Sequence, residues 1–338
     1  MIAHAGKRTL TLENRPYLLS HAAAVGKKEG EGPLGSRFDF VTRNDRMGQK
    51  SWELAESELQ RTAIDLALRK GSLRHCDLDL ILAGDLLNQC IGSFLASMHS
   101  DVPYLGQYGA CSTMAQGLAL GGVLVEAGAA ARLAVSASSH FCSAERQYRF
   151  PLAYGGQRTP TAQWTATAAG AAVLGAKGGS SIRMTHVLFG KMIELGVKDA
   201  NNMGAAMAPA AYDTLSCLLR ELDAQPTDFD CIVTGDLGKV GADLLLTLLR
   251  EDGIDLSPVY SDCGILLFGD AQDAHAGGSG CGCSAAVLCG PLLRDMHEGK
   301  IRRMIFAGTG AMMSPTSVQQ SQPIAGICHA VVLERSGS

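Results

Sequence analysis

Two stretches of this chain run through the same order of apolar runs, turns and small-residue segments. That repetition narrows the folds open to it more than any other feature. DLDLILAGDL (77–86) places a strand-like run, Leu80–Ala83, before Gly84-Asp85-Leu86, and DFDCIVTGDL (228–237) places another before Gly235-Asp236-Leu237. Each is followed by a Gly-rich turn, a small-residue helical segment and a further apolar run. In the first half these are GQYGACSTMAQGLALGGVLVEAG and ARLAVSAS; in the second, GSGCGCSAAVLCGPLLRDMHEGK and IRRMIFAGTG. Laid ungapped on each other, Cys111-Ser112 falls on Cys283-Ser284, Leu120 on Leu292, Glu126 on Glu298, and Leu133–Ser138 on Ile305–Gly310. Identities are few, so the shared order carries the argument. Strands alternating with helices imply mainly parallel sheets covered by helices. The expected architecture is α/β: two duplicated half-domains, 1–178 and 179–338, with mixed sheets in a layered arrangement. A duplication also implies a pseudo-two-fold axis and a site where the halves meet.

The 338 residues, 46% hydrophobic and 18% charged, suffice for such a core. Forty glycines and few aromatics suit helices packed closely on sheets. A net charge of −4, with both signs mixed along the chain, shows no basic footprint for nucleic acid. The 11 cysteines are odd in number and form no CxxC, which argues against a disulfide framework or a zinc site and for a reducing compartment. MIAHAGKRTLTLENRP lacks the apolar run of a signal peptide. The longest apolar stretch, Leu118 to Ala137, is broken by Glu126 and Arg132 and falls short of a membrane span. Any membrane association is therefore expected to be peripheral. Neither a cofactor nor a metal is expected.

Local patterns fill in the elements. Residues 1–50 read as mixed and loop-rich. Ser51 can cap a helix to about Arg69, with Ala55, Leu59, Ala63 and Leu66 on one face. TATAAGAAVLGA and SIRMTHVLFG read as strands. GAAMAPAAYDTLSCLLREL reads as a helix with Met207, Ala211, Leu215, Leu218 and Leu222 near one stripe.

Among residues that could carry chemistry, Cys111 comes first. In Gly109-Ala110-Cys111-Ser112-Thr113 it stands between a strand and a helix. The glycine permits a tight turn, and the helix start offers N–H groups and a positive dipole end. Both effects lower a thiol pKa and favour a thiolate, and the same place binds carboxylates. The amides of Ser112 and Thr113, with more from Gly277–Gly280, predict an anion-friendly pocket. The plainer reading, a cysteine filling space in a small-residue turn, stands beside it. Asp85 and Asp236 occupy matching strand ends, where α/β folds place ligand groups and where carboxylates also cap helices. His275 precedes the Gly-rich turn and reads as a loop histidine or a base. The run from His140 through Arg146 to Phe150, with Tyr154, Arg158 and Trp164, interleaves cations and rings. That suits a flat anionic aromatic ligand and equally an oligomer interface. Cys281-x-Cys283 resembles half a metal site but has no partner pair.

The strand-turn-Cys-helix and the duplicated halves resemble the thiolase and β-ketoacyl synthase superfamily. More closely, the chain resembles the SpoVAD family of spore-forming bacteria, through GPLGSRFD (32–39), AGDLLNQ (83–89), GACST (109–113), SSHFCSAERQYRFP (138–151), YGGQRTPTA (154–162), GAAMAPAAYDT (204–214), TGDLGKVG (234–241), AGGSGCGCSA (276–285) and GAMMSPT (310–316). These stretches span nearly the whole chain. The resemblance implies a thiolase-like fold and a role in moving dipicolinic acid (pyridine-2,6-dicarboxylate), free or as its calcium salt, into the developing spore. It also implies other spore channel proteins as partners, and a place on the cytoplasmic side of the developing spore, peripheral to its inner membrane. Members of the superfamily usually form homodimers.

Catalytic superfamily members set His and Asn, or two His, across from the cysteine. Here Gly235-Asp236 and Gly278-Ser279-Gly280 stand near those places, and the usual GDGA is replaced by Thr167–Ala171. The expected function is therefore binding rather than catalysis. Cys111, Ser112, His140, Arg146, Asp236, Gly278, Ser279 and Gly280 are the expected ligand-binding residues. The alternatives are a condensing or acyl-transfer enzyme using Cys111 as nucleophile with His275 or Asp236 in support, and a scaffold with a vestigial pocket.

Overall fold

A computed structural model describes residues 2–14, 16–148 and 158–336. The first half supplies strands β1 (Tyr17–Val25), β2 (Leu80–Gly84), β3 (Tyr104–Gly106), β4 (Arg132–Ser139) and β5 (Ala168–Gly175). The second supplies β6 (Ile182–Leu188), β7 (Cys231–Thr234), β8 (Tyr260–Asp262), β9 (Arg303–Met312) and β10 (Ala325–Arg335). Outward from the middle, one side runs β1-β5-β4-β2-β3 and the other β6-β10-β9-β7-β8. The orders are the same, and the two sides are joined by the β1–β6 pairing of Tyr17 with Arg183 and by the short strand Thr9–Leu12, which also pairs with β6. The sheet is mixed. β2 is parallel to β3 and β4, and β7 to β8 and β9, while β5 and β10 return antiparallel.

The helices repeat in the same way. In the first half α1 (Trp52–Lys70), α2 (Ile91–Ser97) and α3 (Thr113–Glu126) precede β2, follow it, and precede β4. In the second, α4 (Met203–Glu221), α5 (Gly238–Glu251) and α6, opening at Cys281–Val287, stand in the same places around β7 and β9. Alternate strand residues serve two different cores, because successive side chains point to opposite faces. Leu82, Val135, Leu174, Phe306 and Leu333 pack inward with α3 and α6. Ile81, Ala134 and Val173 pack outward on α1, and Ile232, Ile305 and Val332 outward on α4. The result is five layers, with α3 and α6 buried between the two half-sheets. Two apolar faces per half-sheet explain why the strands read as nearly continuous apolar runs.

Three details depart from expectation. Residues 1–50 contain the nine-residue strand β1 and three short strands, Ile2–His4, Thr9–Leu12 and Phe40–Val41. Ser51 does cap α1, accepting from the Leu54 amide at 3.3 Å, but the buried stripe continues from Ala63 to Ala67, leaving Leu66 half-buried at its edge. Likewise Leu222 lies just past the end of α4 and is only partly buried.

The duplication is also not ungapped. Thr113 opens α3 and Cys281 opens α6, so the residue two before the helix is Cys111 in one half and Ser279 in the other, 168 positions on. α3 takes 14 residues; α6 continues from a seven-residue α segment through a five-residue π turn, Leu288–Leu292, to a five-residue α segment ending at His297. The π turn absorbs extra chain. It brings the following strands back into near-alignment, which is why an ungapped comparison slides Cys283 onto Cys111.

Candidate functional site

Both central helices begin at the carboxyl ends of the parallel strands, and their starts face each other. Ala110, with φ of 49°, turns the chain sharply before Cys111. At Gly109 a Cβ would lie 2.2 Å from Gln116 Oε1, so any side chain there would have to displace that amide. Across the pseudo-two-fold, Gly280 takes a φ of 102° that a side-chain-bearing residue rarely adopts. The Cys111 Sγ and the Ser279 Oγ stand 4.0 Å apart.

Asp236 ties this meeting point together from the end of β7. Its Oδ2 accepts from the Gly280 amide at 2.8 Å and the Ser279 hydroxyl at 3.2 Å; its Oδ1 accepts from the Thr309 hydroxyl at 3.0 Å. The Cys111 thiol lies beside the same carboxylate. Asp236 is fully buried, and burial lifts its carboxyl to about 6, against the stabilising contacts from Cys111, Gly280 and Thr309. Gln163 secures the surrounding backbone, donating from Nε2 to the carbonyls of Asp236 at 2.7 Å and Gly278 at 2.8 Å.

The expectation of a Cys111 thiolate is overturned. Burial, and then the neighbouring Asp236 carboxylate, hold the thiol well above its ordinary range, outweighing the Gly280 amide and Ser279 hydroxyl. The helix-start effect loses because the thiol has lost its water and faces an anion. The expected cluster of open amides is absent at four of these positions. Ser112 N–H bonds Gly109 O at 3.0 Å and Thr113 N–H bonds Ala110 O at 3.4 Å; Gly277 N–H bonds Ala274 O at 2.9 Å, and Gly280 N–H bonds Asp236. Closing the turn consumes the donors that the sequence pattern suggests are open.

Beside Cys111 and Ser279 lies a cavity of about 210 Å³. Leu86, Tyr108, Tyr148, Met203 and Met313 supply its apolar and aromatic wall. Glu145 and Asn201 are polar lining residues, and Glu145 is paired with Arg158 at 2.8 Å. Both phenols are bonded within the protein: Tyr148 to Leu86 O, and Tyr108 to Met313 O at 3.2 Å.

The remaining expected residues lie elsewhere. His140 is buried, receives the Cys142 amide at Nδ1, donates from Nε2 to Asp45 O at 2.9 Å, and does not line the cavity. Arg146 is ion-paired with Glu53, also off the cavity. His275 stands 3.6 Å from Asp273 and is not a cavity residue. Arg158 lies over the rings of Phe141 and Trp164, which stack at 4.1 Å, and Lys28 covers Trp164 at 3.4 Å. These cations and rings are satisfied by each other. Arg149, Phe150 and Tyr154 lie outside the described residues. Gly278 pairs in register with Trp164 behind Ser279. Cys281 and Cys283 are both fully buried, and no metal-holding cluster occurs among the described residues.

Thr309, Gln163 and Asn201 escape a reading of the sequence. Thr309 leaves a trace as a polar residue in the apolar run IFAGTGA; Gln163 and Asn201 leave none, since only the folded chain brings them to the site.

Comparison with known proteins follows the geometry. The stage V sporulation protein AD (SpoVAD) family matches residues 6–334. The chain is 42% identical over 332 residues to stage V sporulation protein AD of Bacillus subtilis (strain 168), covering 98% of each. Among solved structures it is similar to 3-oxoacyl-[acyl-carrier-protein] synthase III from Aquifex aeolicus VF5, with a TM-score of 0.58 and 13% identity over 94% of this chain and 99% of that one. It is also similar to AbyA1, a tetronic acid condensing enzyme, with a TM-score of 0.60 and 19% identity over the same shares. At these identities the likeness is one of fold.

Proposed function

The chain belongs to the stage V sporulation protein AD family, and from that premise we propose that it serves sporulation as a binder of dipicolinate, not as a condensing enzyme. In this reading it delivers the ligand to spore channel proteins while associated peripherally with the inner spore membrane. Among the described residues no helix is long and apolar enough to cross a membrane.

The observation that carries the reading is a ring-sized cavity walled on one side by Cys111 and Ser279, 4.0 Å apart, with the buried thiol raised by burial and by Asp236 behind it. Condensation needs an activated nucleophile, a base in reach and donors aimed at the developing oxyanion. Here burial and Asp236 raise the thiol, among the described residues no histidine lines the cavity, and the helix-start amides named above are bonded. A cavity of about 150 Å³ takes a benzene ring, so about 210 Å³ has room for a substituted one. Glu145, although paired with Arg158, lines the cavity, and Asp236 is buried behind Ser279; both disfavour a bare dianion. The calcium salt, whose carboxylates are already neutralised, is the form that fits this wall.

One observation favours the rival enzyme: a carboxyl near 6 beside a thiol is suitably placed to act as a base. Two measurements separate the readings. Calorimetric titration with dipicolinate, with and without calcium, should saturate, more tightly with calcium. Intact mass after incubation with acyl thioesters should show at most slow, single labelling of Cys111. Steady turnover abolished by Cys111→Ala would overturn the binder. A flat titration together with no acylation would leave only a scaffold.

The proposal includes a second copy of the chain as a partner. Strand β3 ends the sheet order with Leu105 exposed, and Phe94 and Met98 on and just after α2 are exposed nearby. An open strand edge of this kind is a template for pairing, which sedimentation would report.

A further inference from the structure

The end of the molecule opposite the Cys111 cavity carries a groove that the binder reading leaves unused. It has a volume of about 500 Å³ and lies beneath the connection Lys177–Ser181, the link from β5 to β6 that joins the two halves. Its walls are Lys70–Leu73 after α1, Arg132 at the start of β4, and His297. β4 runs from Arg132 here to Ser139 beside Gly280, and seven residue steps at about 3.3 Å put the groove roughly 23 Å from the cavity.

Its chemistry is one-sided. Lys70, Arg132, Lys177 and His297 line it together with Ser72, Ser180 and Ser181, and among the described residues no carboxylate lines the groove itself, Glu298 lying in the adjoining hollow. Lys177 is exposed and meets no acceptor among the described residues. Arg132 donates from one guanidinium nitrogen to Asp77 O at 3.1 Å, while its Nε–H has no acceptor. The Ser20 hydroxyl, beside the adjoining hollow shared by Lys70 and His297, is buried and also unpartnered. Lys70 is held by Asp39 at 3.0 Å, which Arg294 approaches at 3.6 Å; one carboxylate therefore answers two cations. The cluster's field is felt at His297, whose pKa is lowered by burial and then by Lys70 and Arg335. At Gly178 a Cβ would lie 2.2 Å from the Leu19 Cδ2 methyl, so the backbone of the link packs against that side chain.

We propose that this groove holds a phosphate-class oxyanion, with Lys177, Arg132 and Lys70 supplying charge and the serine hydroxyls of the rim donating to its oxygens. Ammonium, guanidinium and hydroxyl donors converging from three chain segments match a tetrahedral anion better than a planar ring. The same chemistry is offered by free phosphate and by an anionic lipid headgroup.

The test uses the full chain at low ionic strength, where such contacts are least screened. Inorganic phosphate should shift the amide resonances of Gly178, Gly179, Ser180 and Ser181 saturably. Lys177→Glu, an exposed change whose retained fold is checked by thermal melting, should weaken that binding by about tenfold or more. In a second arm, vesicles containing phosphatidylglycerol are sedimented with the protein. Binding lost in Lys177→Glu and competed by phosphate identifies a headgroup site; phosphate binding without vesicle binding identifies a free-anion site. Absence of saturable shifts at these amides, or shifts unchanged by Lys177→Glu, overturns the proposal. Because the dipicolinate titration reads the other end of the molecule, either result stands without the other.

Discussion

Asp85 and Asp236 follow matching strands in the two halves, yet the fold uses them differently. Asp85 holds its own loop, accepting from the amides of Leu87 at 2.8 Å and Ser93 at 2.7 Å and from the Ser93 hydroxyl at 2.7 Å. In the second half that task passes to Asp262 on β8, which accepts from the amides of Leu237, Gly238 and Ile265 and from the Thr234 hydroxyl. Asp236 is thereby released to face the site. Cys111 and Ser279 diverge in the same way, one a thiol and the other a hydroxyl at equivalent helix starts. A duplicated scaffold can thus keep its architecture in both halves while only one end of the pseudo-symmetry carries the chemistry.

The comparison breaks or sharpens in three experiments. The largest effect is expected from Asp236. Its folded carboxyl at about 6 lies above the ordinary 3.8, so the folded state binds more protons between those values, and the stabilising difference is lost as pH rises through about 6. The gap corresponds to about 3 kcal/mol. Denaturant titrations of the native chain and Asp236→Asn from about pH 4 to about pH 7 should differ by a slope of that sign and order. Parallel curves would mean that Asp236 is no more perturbed than a surface carboxylate. Using the difference between proteins removes the contribution of Glu29, whose buried carboxyl, lifted to about 7, titrates in the same range.

Asp85→Ala should come next, costing about 2 kcal/mol by stranding three donors. It should leave dipicolinate affinity unchanged. An equal loss of binding from Asp85→Ala and Asp236→Ala would erase the proposed division of labour.

The smallest effects belong to the cysteines. Cys283→Ala hollows the core between the half-sheets, at a cost of about 1.5 kcal/mol without altering ligand binding. Cys111→Ala should cost about 1 kcal/mol and keep the fold, but weaken ligand uptake. Normal binding with Cys111→Ala would reduce this residue to packing, the same part Cys283 plays.

Much of this protein is legible in its sequence. Hydrophobic runs of strand length, a capped amphipathic helix from Ser51 and the paired Gly-Asp-Leu turns determine a duplicated α/β fold, because periodicity and turn chemistry are local properties. They also place Cys111 at a helix start with Asp236 at a strand end. The sequence did not reveal strand β1, whose apolar residues sit among charge-rich loops. Nor did it reveal the π turn in α6, which moves Ser279 rather than Cys283 opposite Cys111. Above all, it could not decide the state of the thiol. That depends on which amides the turn consumes, how much water burial removes, and which carboxylate the second half brings within reach. Those are sums over residues distant in sequence, and only the packed tertiary structure determines them.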